Sequence, residues 1–248
     1  MDSVAGKTVL VTGCTRGLGR ALVHAFGTSG ARVAGFGRSS SALDELTLEC
    51  SEFEFAPFLV DVRHHREVWS AVEAVTERYG PVHVLFNNAA LYPKENFLKQ
   101  PAESWAEAVE TNLIGMANCC RAVLPVMIDA GFGRIYNIGT WADLSPIPRS
   151  SAYAASKGGV HALTKAIAAD LEELEPDVDV EVHEWIPGHL NTRMSDFTGI
   201  DPAVSAEWAV NLVLSQASSR NVIFENNAEW VPPKRLKERI AELLLFWR

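Results

Sequence analysis

The sequence predicts an α/β fold: one doubly wound domain over residues 1–248, a parallel sheet with helices on both faces and a helix appended at the C-terminus. Three observations carry this. Short apolar runs alternate with helical periods along the chain, the pattern left by right-handed strand–helix–strand crossovers. The strand runs are apolar on both faces, as a sheet covered on both sides requires. No Pro/Gly/Ser-rich tract or internal repeat divides the chain.

The elements follow in order. Lys7 to Thr12 is a compact apolar strand that ends in a glycine-rich turn; Leu18 to Phe26 continues with helical spacing until Gly30 stops it. Ala31 to Gly37 is the second strand, and Ser39 to Ser41 reads as a helix start. Phe55 to Val60 is the third strand, ending at Asp61. From His64 to Tyr79, Val68, Ala71, Val72 and Val75 fall on one helical face, and Gly80-Pro81 ends the helix. Val82 to Phe86 is the fourth strand. Pro101 to about Asp129 is a long helical stretch, bent near Pro125. Arg134 to Ile138 is the fifth strand, Ser151 to about Leu174 a helix broken by Pro176, and Val178 to Ile186 the sixth strand, closed by Pro187-Gly188. Ser205 to Ala217 is helical and Val222 to Phe224 is the last strand. In the tail, at about 233–247, Leu236, Ile240, Leu243, Leu244 and Trp247 share one helical face.

Composition narrows the function classes. Hydrophobic residues make up 48% and charged residues 21%, a globular balance that excludes disorder. The net charge of −9 repels phosphate backbones and anionic lipid, so neither nucleic acid nor a membrane surface is an expected partner. The N-terminus has no signal-peptide pattern, and no apolar run approaches the roughly 18 residues of a membrane span. Cys14, Cys50, Cys119 and Cys120 have no metal-ligand spacing; they read as reduced thiols of a cytoplasmic protein without a metal.

Thr12-Gly13-Cys14-Thr15-Arg16-Gly17-Leu18-Gly19 lies at the first strand–helix junction. Glycines there let backbone approach a pyrophosphate, and the helix N-terminus offers free N–H groups and a positive dipole end. A dinucleotide is the expected ligand. The second strand ends in Gly37-Arg38, without the carboxylate that would bind a ribose 2′-hydroxyl. Arg16 and Arg38 together suit a 2′-phosphate, which points to NADP(H).

Tyr153 and Lys157 are four residues apart in a helical stretch, hence on one face. An ammonium beside a phenol favours the phenolate and is expected to lower the tyrosine pKa toward the range of a general acid/base. Taken with the glycine turn, Asp61, Asn87-Asn88-Ala89, Asn112 and Pro187-Gly188-x-x-x-Thr192, this pattern resembles the short-chain dehydrogenase/reductase family, in its classical branch, over nearly the whole chain.

The resemblance implies a Rossmann-type domain that transfers hydride between NADP(H) and a carbonyl or secondary alcohol. It implies that Tyr153 exchanges the proton, that Lys157 also grips the nicotinamide ribose, and that Asn112 holds a water linking Lys157 to solvent. Asp61 would bind the adenine amino group. Gly13, Thr15, Arg16, Gly17, Leu18, Gly19, Arg38, Val62, Asn87, Ala89, Pro187, Gly188, Leu190 and Thr192 would line the rest of the cofactor site. The family usually has a serine thirteen residues before the tyrosine; here that residue is Thr140, which keeps a hydroxyl donor but adds a methyl. Ala90 stands where glycine is common. Substrate contacts are expected from Tyr92, Trp141, His189, Met194 and Phe197, with a substrate loop at about 189–204. Those walls suit a medium-sized, partly hydrophobic ketone or alcohol. Alternatives left open are an NAD-linked alcohol dehydrogenase, a 3-oxoacyl-carrier-protein reductase and a catalytically silent NADP(H)-binding regulator. A homodimer or homotetramer is expected by the same resemblance.

Overall fold

The computed structural model describes residues 1–231; the expected tail helix at about 233–247 lies outside the described residues. Eight strands join one sheet in the order β3-β2-β1-β4-β5-β6-β7-β8. They are β1 (Thr8–Thr12), β2 (Arg32–Gly37), β3 (Phe55–Leu59), β4 (Val82–Asn87), β5 (Phe132–Ile138), β6 (Asp179–Ile186), β7 (Ile223–Glu225) and β8 (Ala228–Glu229). All pair in parallel except β8, which returns antiparallel on β7. The order reverses between β1 and β4. The loops leaving those two strands therefore part, and a crevice opens beyond their C-terminal ends.

Seven α-helices cover the sheet among the described residues: α1 (Gly17–Thr28), α2 (Ser40–Glu49), α3 (His65–Tyr79), α4 (Ala102–Val109), α5 (Gly115–Asp129), α6 (Ser151–Leu174) and α7 (Pro202–Leu214). Alternation along the strands feeds two separate cores. Val9 and Val11 of β1 join Leu22, Phe26 and Leu46 on the face covered by α1, α2 and α7. Leu10, between them, joins Val68, Val72, Val123 and Leu171 on the face covered by α3, α5 and α6. In the first core Phe86 lies among Phe26, Tyr136 and Trp185, with ring centroids 5.0 to 5.9 Å away.

Several boundaries differ from the sequence reading, each for a local reason. The helix start at Ser39 grows into α2, capped by Ser39 Oγ accepting from the Ala42 N–H. α7 begins at Pro202, not Ser205, because Asp201 caps it and proline fits the first helical position. It ends at Leu214, short of Ala217. β8 was not foreseen; it follows a turn in which Asn226 is left-handed, with φ 53°. β3 tolerates Pro57 because it is an edge strand.

The stretch from Ala102 to Asp129 is one continuous 28-residue helix, in which α4 and α5 join through a π turn at Glu110–Ile114. Its mean hydropathy of 1.3 over an 18-residue window makes it long and apolar enough to cross a membrane by length and composition only, a pattern that a buried core helix shares. Half of that window is buried, with α5 packed on α3, β4 and β5.

Phe86→Ala deletes a ring at the centre of the aromatic cluster, and the neighbouring rings are too constrained by the sheet to fill the space. Urea unfolding should show a loss of about 3–5 kcal/mol; a loss below about 1 kcal/mol would mean that this core collapses freely.

Candidate functional site

The glycine-rich turn joins β1 to α1. Gly13 and Gly17 have φ 64° and 53°, where a side chain is strained. A Cβ on Gly19 would collide with the Gly13 carbonyl and press on the Asn88 amide. That amide is why the turn is closed so tightly. Asn88 Nδ2 donates to the carbonyls of Thr12 and Gly13, at 2.9 and 3.1 Å, and the N–H groups of Asn88 and Ala89 both donate to Thr12 Oγ1 at 3.0 Å. The loop after β4 is thus knotted to the end of β1. Arg16 occupies the N-cap of α1 without capping it, and the first turn has no acidic residue. Free N–H groups and the positive dipole end face a cradle of bare backbone, which fits the diphosphate of a dinucleotide. Thr192 lies against Gly17, and a Cβ at Gly37 would press on Thr15, so the loop after β6 and the end of β2 both reach this turn.

At the end of β2 the charges form a mixed cluster. Arg16 is exposed and has no ion pair among the described residues. Arg38 Nη1 lies 3.8 Å from Asp61 and 3.4 Å from Glu107. Arg63 grips Asp61 with Nε at 3.0 Å and Nη2 at 2.6 Å, and also reaches Glu107. The Arg63 guanidinium holds the Asp61 carboxyl down at about 2. Asp61, expected to bind an adenine amino group, therefore stays ionised but is shared with Arg63. The sequence reading missed Arg63 and Glu107; an arginine two residues after Asp61 was the available signal. Val62 is buried, its carbonyl accepting from Asn118 Nδ2 of α5.

Thr140, Tyr153 and Lys157 converge past the end of β5. Lys157 is 3% exposed, and its Nζ donates to the Ile138 carbonyl at 2.6 Å. The ammonium also lies 5.8 Å from the Tyr153 ring centre. Burial pushes the lysine down to about 8, against a favourable field from Glu184. Tyr153 departs from expectation: burial pushes its phenol up to about 12, and only a hydrogen bond with Thr140 pulls it back. The lysine does not lower it, because desolvation disfavours both charged forms and the ammonium is tied to Ile138. Thr140 Oγ1 accepts from the Ala142 N–H at 3.2 Å, and its hydroxyl proton is the part directed at the Tyr153 phenol.

Asn112 sits in the π turn, 2% exposed. Its side chain, expected to hold a water, is already committed. Oδ1 accepts from the Leu91 N–H at 2.7 Å; Nδ2 donates to the Leu91 carbonyl and to Ser156 Oγ, both at 2.9 Å. It pins the loop after β4 to α6. Asn87 is likewise turned inward: Nδ2 donates to Asn137 at 2.8 Å, and Oδ1 is buried without a partner. Asn88, its neighbour, does the bridging.

Tyr92 stacks on Tyr153 with centroids 4.6 Å apart. Trp141 donates to Glu225 at 2.7 Å and packs on Trp230, an aromatic wall residue that the sequence reading missed. His189 pairs with Thr198 within its own loop, at 2.8 Å. Met194 and Phe197 are 37% and 71% exposed, on the open rim. Pro187 and Gly188 lead into this loop, where Leu190 pairs with Ile200.

Comparisons with known proteins identify the family and the fold. The short chain dehydrogenase family model matches residues 7–201. A 3-oxoacyl-[acyl-carrier-protein] reductase of Thermotoga maritima is 31% identical over 193 residues, 77% of either chain. A metagenomic short-chain oxidoreductase solved in complex with NADP superposes with a TM-score of 0.76 at 26% identity, covering 90% of this chain and 98% of that one. NAD+-bound xylitol dehydrogenase superposes at 0.80 with 22% identity over the same shares, a likeness of fold alone.

Two outcomes follow from the geometry. Gly19→Ala should abolish dinucleotide binding in calorimetry, because the methyl meets the Gly13 carbonyl; undiminished binding would put the diphosphate elsewhere. The folded Asp61 pKa of about 2 lies below its unfolded value of about 3.9. Its stabilising contribution is therefore whole above about pH 4 and lost as pH falls toward 2. Urea midpoints of Asp61→Asn should fall less than those of wild type across that window.

Proposed function

The chain belongs to the short-chain dehydrogenase family, and from that membership we propose that it is an NADP(H)-dependent oxidoreductase that reduces the carbonyl of a medium-sized, partly hydrophobic small molecule. The observation that carries the reading is the convergence of Thr140, Tyr153 and Lys157 beside a glycine cradle built for a diphosphate. When bound, the nicotinamide cofactor supplies the hydride.

The protein's own groups handle the proton and the charge. Tyr153 donates its phenolic proton to the substrate oxygen as that oxygen becomes an alkoxide. A phenol held near 12 is fully protonated at neutral pH, which suits the reductive direction. With a substrate oxygen seated beside the phenol, the Thr140 hydroxyl proton would turn from Tyr153 to that oxygen. Lys157, fixed by Ile138, places positive charge behind the tyrosine and would hold a ribose hydroxyl of the cofactor. Gly13, Gly17, Gly19 and the start of α1 would hold the diphosphate, and Arg16 with Arg38 the 2′-phosphate. Tyr92, Trp141 and Phe197 would shape the substrate side, with Trp230 added to them.

NADP(H) rests on Arg16, Arg38 and the absence of a carboxylate on β2. The NAD-linked reading is favoured by Asp61 and Glu107, which offset the charge of Arg38. The acyl-carrier-protein reductase alternative draws on the Thermotoga maritima relative. A cytoplasmic setting fits four free, buried cysteines, and a homodimer or homotetramer remains the expected assembly.

A panel of ketones, acyl thioesters and alcohols, assayed with both cofactors, tests the reading; a chain that binds NADPH yet oxidises it with no carbonyl is the silent regulator. Losing one charge-assisted bond costs roughly 1.5–3 kcal/mol, so Arg38→Asp should weaken NADPH binding by about ten- to a hundredfold. Equal binding of both cofactors by the wild type would overturn the assignment of Arg16 and Arg38. Tyr153→Phe should abolish turnover with NADPH binding nearly intact. Thr140→Val should lower kcat by about 10²–10³ while Thr140→Ser stays within about tenfold of wild type; normal turnover in the valine variant would make Thr140 a turn-capping residue only.

A further inference from the structure

Beneath the reacting end of α6 a carboxylate sits inside the sheet. Glu184 of β6 has a side chain only 4% exposed, between register partners Asn137 of β5 and Ile223 of β7, neither charged. An ionised carboxyl there is costly unless something pairs with it. Its Oε2 lies 2.6 Å from His161 Nδ1. Its Oε1 lies against Gly139, where a Cβ would collide with it. Gly139 directly follows Ile138, whose carbonyl accepts the Lys157 ammonium. Carboxylate and ammonium therefore pack against the same two-residue stretch.

His161 follows Lys157 by one helical turn, on the same face of α6. Lys157 has no ion pair within 4 Å among the described residues, and Glu184 is the charged group whose field favours its protonated form. Around Glu184 the charged or titratable groups are Lys157 and His161 from α6 and Asp143 from the short turn after β5, the last opposing its charge.

We propose that Glu184 is the buried counter-charge of Lys157, oriented by His161, so that the three side chains form one charge-coupled unit behind the reacting tyrosine. Glu184 and His161 are positioning residues: they act through Lys157 and touch neither substrate nor cofactor. Only the kinetic consequence rests on the proposed function; the coupling of the charges does not. A neutral side chain at 184 would leave the buried ammonium uncompensated, and Lys157 would release its proton at lower pH.

The test follows the Lys157 ammonium directly, by NMR titration of protein carrying 15N-labelled lysine, assigned with Lys157→Arg. Glu184→Gln should lower the Lys157 midpoint by about one pH unit or more. His161→Leu should move it the same way, because the carboxyl loses its donor, while His161→Gln keeps a donor and stays close to wild type. In turnover, the alkaline limb of kcat/KM should shift to lower pH with the same ranking. If Glu184→Gln does not fold, the leucine and glutamine variants at 161 carry the comparison. An unchanged Lys157 midpoint in Glu184→Gln, or in His161→Leu where that must stand in, overturns the proposal, as does an equal loss of activity at every pH. A shifted midpoint in a chain that reduces no carbonyl would uphold the coupling and sink the proposed function instead.

Discussion

The knot between Thr12 and Asn88 is the interaction on which the site depends. A parallel sheet whose order reverses between β1 and β4 leaves the loops after those strands free to part. One side chain, Asn88, and two backbone N–H groups close that gap onto Thr12 and Gly13. Everything downstream inherits the position this sets. The loop after β4 carries Leu91 and Tyr92; Leu91 is grasped by Asn112, and Asn112 by Ser156 of α6. The same helix carries Tyr153 and Lys157. A line of polar contacts thus runs from the glycine-rich turn to the helix that carries Tyr153 and Lys157.

A second polar line lies deeper. Asn87 donates to Asn137, and Asn137 donates to Thr164 of α6, all within a buried layer. Each such group is stabilising only while its partners are present, since an unmatched polar atom in a low-dielectric interior costs about 1–3 kcal/mol. The π turn at Glu110–Ile114 belongs to this economy of positions. It places Asn112 toward Leu91 within an otherwise regular helix.

Much of this was legible in the chain. Alternating apolar runs gave the strands, because burial on both faces of a sheet leaves a simple signature. The glycines at 13, 17 and 19 stood out because backbone must pass backbone there. Helical spacing put Tyr153 and Lys157 on one face, and the glycine turn with the other motif residues singled them out. Other features had no local signature. The upward pressure on the Tyr153 phenol arises from how much protein surrounds it, which spacing does not report. Arg63 and Glu107 meet only because α3 and α4 begin beside the end of β3, and Trp230 reaches Trp141 only through the β7–β8 return. Side chains brought together by crossovers are invisible until the crossovers are drawn.

Lys94, beyond β4, reaches Asp196 of the loop between β6 and α7 at 2.6 Å. Asp196 and Phe197 are consecutive left-handed residues, at φ 55° and 58°, each a conformation that costs roughly 1–3 kcal/mol. The ion pair is exposed, and such pairs contribute about 0–1 kcal/mol. Two such residues outweigh the single ion pair, so the loop's shape rests on its own hydrogen bonds, among them the Phe197 N–H donating to the Thr192 carbonyl at 2.8 Å. Dissolved salt screens the ion pair and leaves those bonds in place, so the bend belongs to the loop itself and not to its tether.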